Sequence, residues 1–223
     1  MSPGAFGVSR WGQRLAQWSD HVLHRTRRPS QRMERWIVLD CETSGLDPNR
    51  DRLLSIGAVA MVGGAIRLGD RFERLVRPAA PSSVSNVLVH GLGHLAQVHA
   101  DPPDIVLSDW ESWVGDSPCM AYHARFDRRV LERAIGMTLG RSLPRQWLDL
   151  AELGPAIDPK AGATALDDWL LRYDIRVSPR HHASADALAT AMLLQRWLAA
   201  LPPAERHFSA LRHRARHRRY LGG

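Results

Sequence analysis

The run from Trp36 to Gly45, Trp-Ile-Val-Leu-Asp-Cys-Glu-Thr-Ser-Gly, constrains what this chain can fold into more than any other stretch. Trp36, Ile37, Val38 and Leu39 form a short apolar run of the kind that makes a fully buried strand. The strand then meets two acids, Asp40 and Glu42, before Ser44-Gly45 breaks it. Side chains two apart on a strand share a face, with Cα atoms about 6.5–7 Å apart, so both carboxylates project from one side of the strand's end. Two like charges at about 4 Å repel by roughly 4 kcal/mol at an effective dielectric near 20. A cation between them removes that repulsion, most simply a metal ion held by oxygen ligands. The alternative is a pair of solvated acids where a strand runs into a loop.

Charge is distributed unevenly. The chain of 223 residues carries net +7, yet residues 1–36 hold seven Arg against two acids and residues 206–223 hold six Arg and no acid. The middle is therefore mildly acidic between two basic ends, and such ends suit a polyanion, because Arg makes bidentate contacts to phosphate. Solubilising tails are the plainer reading. The two cysteines make no disulfide framework. Cys41 alternates with Asp40 and Glu42, so it points to the opposite face, and packing suits both it and Cys119. The start of the chain lacks the apolar core of a signal peptide, and no run of about 18 apolar residues occurs. A soluble, cytoplasmic protein with no membrane partner is expected.

Three segments follow from this pattern: a basic amphipathic extension over 1–35, a catalytic-sized domain over 36–203, and an Arg/His-rich tail over 204–223. In the extension, Trp11, Leu15, Trp18, Val22 and Leu23 fall at helical spacing ahead of Arg25, Arg27 and Arg28. Leu53–Val62 reads as a second buried strand, Gly63-Gly64 as a hairpin and Ala65–Val76 as a third strand, giving an antiparallel meander. Residues 82–103 read as loop. Helices are expected over Asp104–Val114, from Asp127, over Ala163–Tyr173 and over Ala183–Leu201. Short strands are expected at Pro118–Tyr122 and after Leu143. Strands that then alternate with helices predict an α/β fold with a mixed central sheet.

A second group of signals precedes the last long helix, in Arg180-His181-His182-Ala183-Ser184-Ala185-Asp186. His181 and Asp186 are five apart, which puts them about 140° off one helical face. They converge only if His181 lies in the loop and Asp186 in the first turn. A loop histidine beside a carboxylate can act as a general base, because its pKa lies near neutrality. Asp40, Glu42, Asp127 and Asp186 now all sit at ends of expected elements. Two divalent ions about 3.5–4 Å apart, held by such oxygens, clamp the attacking and leaving oxygens of a phosphoester displacement.

These residues resemble the DEDDh, or DnaQ-like, class of 3′–5′ exonucleases, which includes the proofreading epsilon subunit of bacterial DNA polymerase III. Asp40-Cys-Glu-Thr-Ser-Gly-Leu-Asp-Pro matches the first motif and Tyr122-His-Ala-Arg-Phe-Asp127 the second. His181-His-Ala-Ser-Ala-Asp186 matches the third in spacing, while Leu75-Val-Arg-Pro78 and His90-Gly-Leu92 look like further landmarks. The resemblance covers about residues 34–200. It implies an RNase H-like fold, two Mg²⁺ or Mn²⁺ ions on Asp40, Glu42, Asp127 and Asp186, and His181 as the base for the attacking water. It also implies that Thr43, Ser44, Gly45, Leu46, His90, His123 and Phe126 hold the substrate. The implied activity is release of nucleoside monophosphates from single-stranded DNA, in proofreading or repair, with a DNA polymerase subunit as a further partner. An RNA-trimming exonuclease and a non-catalytic nucleic-acid-binding or polymerase-accessory module are the alternatives. The second motif usually begins His-Asn, and here it reads Tyr122-His123.

Overall fold

A computed structural model describes residues 34–78, 99–142, 145–161, 165–177 and 182–221, with side chains to 217 in the last helix. His90, His181 and nearly all of the basic 1–35 extension lie outside the described residues. Among the described residues five strands are formed: β1 Arg35–Thr43, β2 Leu53–Val62, β3 Ala65–Leu75, β4 Cys119–Ala121 and β5 Trp147–Asp149. The helices are α1 Pro103–Val114, α2 Ala124–Leu139, α3 Leu150–Ile157, α4 Leu166–Arg172, α5 Ala183–Ala200 and α6 Phe208–Leu221. Strand order is β3-β2-β1-β4-β5. β1 pairs antiparallel with β2 and β2 with β3, whereas β4 runs parallel to both β1 and β5. The mixed sheet and its antiparallel first three strands agree with the sequence pattern.

The alternation along β1 sorts the core into two layers. Trp36 and Val38 join Trp169, Leu194, Trp197 and Leu198 on one face, under α4 and α5. Ile37, Leu39 and Cys41 face the other way, onto Val106, Trp110, Val130 and Leu131 of α1 and α2. Asp40 and Glu42, in phase with Trp36 and Val38, therefore lie on the α5 side. Both cysteines are buried and unpaired, Cys41 in the layer opposite the acids.

One position governs how α5 meets the sheet. Gly57 of β2 stands opposite Asp40 of β1 and opposite Glu73 of β3, so the three form a row across the strands. A Cβ on Gly57 would lie 2.1 Å from the carbonyl carbon of Ala183 and from the amide nitrogen of Ser184. Both atoms are backbone and cannot swing away. The first turn of α5 rests directly on the strand, and the buried Ala183, Ala187 and Ala191 keep the helix near the sheet further along. An isolated glycine inside a strand marks such a close backbone approach.

Two boundaries differ from expectation. α2 starts at Ala124, three residues ahead of Asp127, because His123 in the left-handed conformation (φ 61°) turns the chain directly out of β4 into the helix. The Arg/His-rich segment near the end of the chain is helical over α6. Phe208, Leu211 and Ala215, at i, i+3 and i+7, bury one stripe in the α3 to α5 layer. Glu34 ties this helix to the sheet: its Oε2 accepts from the Phe208 amide at 2.8 Å and from Trp36 Nε1 at 3.0 Å.

Replacing Gly57 by Ala forces the start of α5 off β2. The expected loss is about 1–3 kcal/mol, which for a domain of this size lowers the melting temperature by roughly 2–4 °C per kcal/mol. Differential scanning calorimetry checks this; a melting temperature equal to that of wild type contradicts the close approach.

Candidate active site

The end of β1, the first turn of α5 and the first turn of α2 meet at one edge of the sheet. A carboxylate oxygen from each of Asp40, Glu42 and Asp186 lies within 4.8 Å of the other two. Asp186 reaches this trio because α5 is seated on Gly57 beside Asp40. Burial raises the Glu42 carboxyl above its ordinary range. Three carboxylates so close attract a cation, and an all-oxygen donor set suits a hard divalent ion.

Asp127 arrives from the other side of the sheet, on α2. It is buried, and its Oδ1 accepts from the backbone N–H of Cys41, between Asp40 and Glu42, at 3.0 Å. The fourth expected acid is thus tied to the same strand end without joining the close trio. Burial pushes its pKa from the usual carboxylate range up to about 7, and the nearby Asp149 charge pushes the same way. Cys41, at the centre of this charge, has its thiol pushed up by burial and then by Asp127, Asp40 and Glu42. It therefore stays a neutral, packed side chain.

The start of α5 is fastened on its far side as well. Ser184 Oγ donates to Glu73 Oε1 at 2.8 Å, and His182 Nδ1 lies 3.2 Å from Ser184 Oγ. His182 is thereby drawn toward β3, away from the acid trio. Glu73 went unmarked in the sequence because it is one charged residue among many on an edge strand. Asp149 also went unmarked. Its Oδ1 accepts from the His123 N–H and from the Ala151 N–H, both at 3.0 Å, so it caps α3 and holds the left-handed turn in front of Asp127. An Asp directly ahead of an apolar helix is the available cue.

The loop after β1 is closed on itself. The Ser44 amide donates to the Arg52 carbonyl, the Arg52 amide to Ser44 Oγ, and Ser44 Oγ to Asp51 Oδ1. The Asp47 amide donates to Asp51 Oδ2 at 2.7 Å, and a Cβ on Gly45 would lie 2.5 Å from that carboxylate. Ser44 therefore braces the loop, with Thr43 donating to the Gly45 carbonyl. Leu46 projects from it, 92% exposed. His123 and the half-buried Phe126 line a cleft beside the loop. Thr43, Ser44, Gly45 and Leu46 thus belong to the loop that follows the acids in the chain, and His123 and Phe126 to the start of α2, which carries Asp127.

A raised carboxyl pKa has a definite consequence for stability. Folded Asp127 holds its proton up to about pH 7, whereas in the unfolded chain it releases it near pH 4. Folding takes up a proton between those values, so the metal-free protein loses stability as the pH rises through that window. The loss is of the order of a few kcal/mol and complete above both values. Thermal melts in EDTA from pH 4.5 to 8 should show it, and Asp127→Asn should flatten the slope and melt higher than wild type at pH 8. A slope unaltered by that substitution would contradict the buried carboxyl.

Comparison with known proteins accords with this geometry. The exonuclease family model, RNase T, matches residues 37–194. The PolC-type DNA polymerase III of Bacillus subtilis (strain 168) is 31% identical over 168 residues, an overlap of 74% of this chain and 11% of that one. The chain thus spans about a tenth of the length of the curated relatives it matches. Among solved structures, cell-death related nuclease 4 superposes with a TM-score of 0.66 at 18% identity, over 75% of this chain and 64% of that one. Exonuclease X in complex with 5′ overhanging duplex DNA gives 0.63 at 22% identity, over 82% and 99%. These likenesses identify the five-stranded mixed sheet as the RNase H-like exonuclease fold, with the acids at its edge inside the matched segment. The chain belongs to the RNase T exonuclease family.

Proposed function

We propose that this chain is a divalent-metal-dependent 3′–5′ exonuclease that removes nucleoside monophosphates one at a time from single-stranded DNA ends. The observation that carries this reading is the convergence of Asp40, Glu42 and Asp186 on one point, with Asp127 tied to the same strand end. So many acids at the edge of a buried sheet carry a cost in mutual repulsion that a binding module has no reason to bear.

Asp40, Glu42, Asp127 and Asp186 would hold two Mg²⁺ or Mn²⁺ ions. Bound there, such ions supply positive charge against the scissile phosphate and lower the pKa of water. The residues of the chain do the rest. The 3′-terminal nucleotide lies against the closed loop, with backbone from Thr43 to Gly45 on one side and the exposed Leu46 against its base. His90 completes that subsite, and His123 and Phe126 contact the strand next to it. His181, which directly precedes the first residue flanking α5, takes the proton from the attacking water. The water oxygen bonds to phosphorus as the P–O3′ bond breaks, leaving a 5′-monophosphate on the released nucleoside and a new 3′-hydroxyl on the strand. Two relatives support DNA as the substrate: a DNA polymerase in one case, an exonuclease complexed with duplex DNA in the other. Proofreading beside a polymerase is the setting we infer from the first of these.

No described helix is long and apolar enough to cross a membrane.

End-labelled single strands test the proposal. A ladder of shortened products is expected with Mg²⁺ or Mn²⁺ and intact strands with EDTA; intact strands with every divalent metal would overturn it, and faster loss of an RNA strand of the same sequence would move the substrate to RNA. Asp40→Ala and Asp186→Asn should each lower turnover about a thousandfold or more. His181→Ala should cost about 10²–10⁴-fold and His182→Ala less than about tenfold, a reversed order moving the base by one residue. Independently of activity, Mn²⁺ should raise the melting temperature more at pH 8 than at pH 5, where protons hold the carboxyls.

A further inference from the structure

The N-terminal half of α2 and the loop after β1 enclose a cleft of about 740 Å³ whose lining includes Pro48, Asn49, His123, Arg125, Phe126 and Arg129. Phe126 directly precedes Asp127, so this cleft opens along the helix turn that carries that acid. Arg125 and Arg129 are one helical turn apart on the exposed face of α2, and Arg128 lies beside them. Arg129 Nε donates to Asn49 Oδ1 at 3.0 Å, fastening that guanidinium across the cleft. Arg128 is paired with Glu132 at 2.8 Å. Three guanidinium groups against one carboxylate make this wall basic, although the domain as a whole is mildly acidic.

A row of exposed charge on a helix is commonly just a solvated face. Three features set this one apart. The wall is concave rather than convex, its lining includes the aromatic rings of Phe126 and His123, and one arginine is pinned by the Asn49 side chain of the loop. Guanidinium forks for phosphates beside rings on which bases stack are what a single-stranded polynucleotide requires of a groove. Four residues of helix span about 6 Å, so Arg125 and Arg129 can reach successive phosphates of one strand.

We infer that this cleft is the path of the strand on the 5′ side of the scissile bond: Arg125 and Arg129 hold its phosphates, and Phe126 and His123 hold the base next to the terminal one. The inference rests on the exonuclease reading, and it adds that affinity for strand length comes from α2, whereas cleavage comes from the acids.

The test compares a 15-nucleotide oligothymidylate with p-nitrophenyl thymidine 5′-phosphate, a phosphodiester too short to enter the cleft, both with Mn²⁺. In Arg125→Gln/Arg129→Gln the ratio of kcat/KM for the long to the short substrate should fall about tenfold or more, chiefly through KM. Binding of the fluorescein-labelled 15-mer in EDTA, followed by anisotropy, should lose about 1.4 from the slope of log K against log salt, about 0.7 for each phosphate contact removed. Arg125→Lys/Arg129→Lys, which keeps the charge, should restore that slope. An unchanged ratio together with an unchanged slope in the Gln variant overturns the inference. A wild-type protein that cleaves neither substrate sinks the nuclease reading instead, and the binding slope then still decides whether the cleft holds a strand.

Discussion

Everything at the catalytic edge depends on one backbone-to-backbone approach, that of Gly57 in the second strand to Ala183 and Ser184 in the long helix. No side chain other than hydrogen fits there. With the helix down on the sheet, the row Asp40, Gly57 and Glu73 becomes a cradle. Ser184 is bound to Glu73 on one flank, and Asp186 is brought to Asp40 and Glu42 on the other. Assembly of the acid cluster is therefore a packing event before it is an electrostatic one. Burial of Trp36, Trp169 and Trp197 in the layer above supplies the free energy that holds like charges together.

Around that contact the site separates into a deep and a shallow part. Asp127 is deep: it is buried, hydrogen-bonded to the strand backbone and pushed toward the neutral form. Leu46 and the arginines of the α2 face are shallow and exposed, on the surface that a polymer would touch. The closed loop over residues 44–52 links the two, since its internal hydrogen bonds fix where Leu46 stands without drawing on the acids. A deep part that sets charge and a shallow part that sets length preference can vary independently.

Much of this was legible in the sequence because local pattern and global fold agree. The apolar run ending in Asp40 and Glu42 announced a buried strand with charge at its tip, and the Gly63-Gly64 hairpin fixed the meander. What stayed hidden depends on contacts between elements remote in the chain. Gly57 was visible as a strand residue, but which backbone approaches it is settled only when Ala183 arrives from more than a hundred residues away. Asp149 and Glu73 were hidden for the same reason, each acting through a partner on another element. The helical state of the Arg/His-rich segment was also underread, because its charges mask the short apolar stripe of Phe208, Leu211 and Ala215.

The carboxylate of Glu34 accepts from Trp36 in the first strand and from Phe208 in α6, the latter 174 residues away in the chain. A polypeptide made from its amino end thus exposes the tryptophan layer until α6 has been made to cover it. A chain interrupted before α6 carries an uncovered apolar face for chaperones or proteases to find.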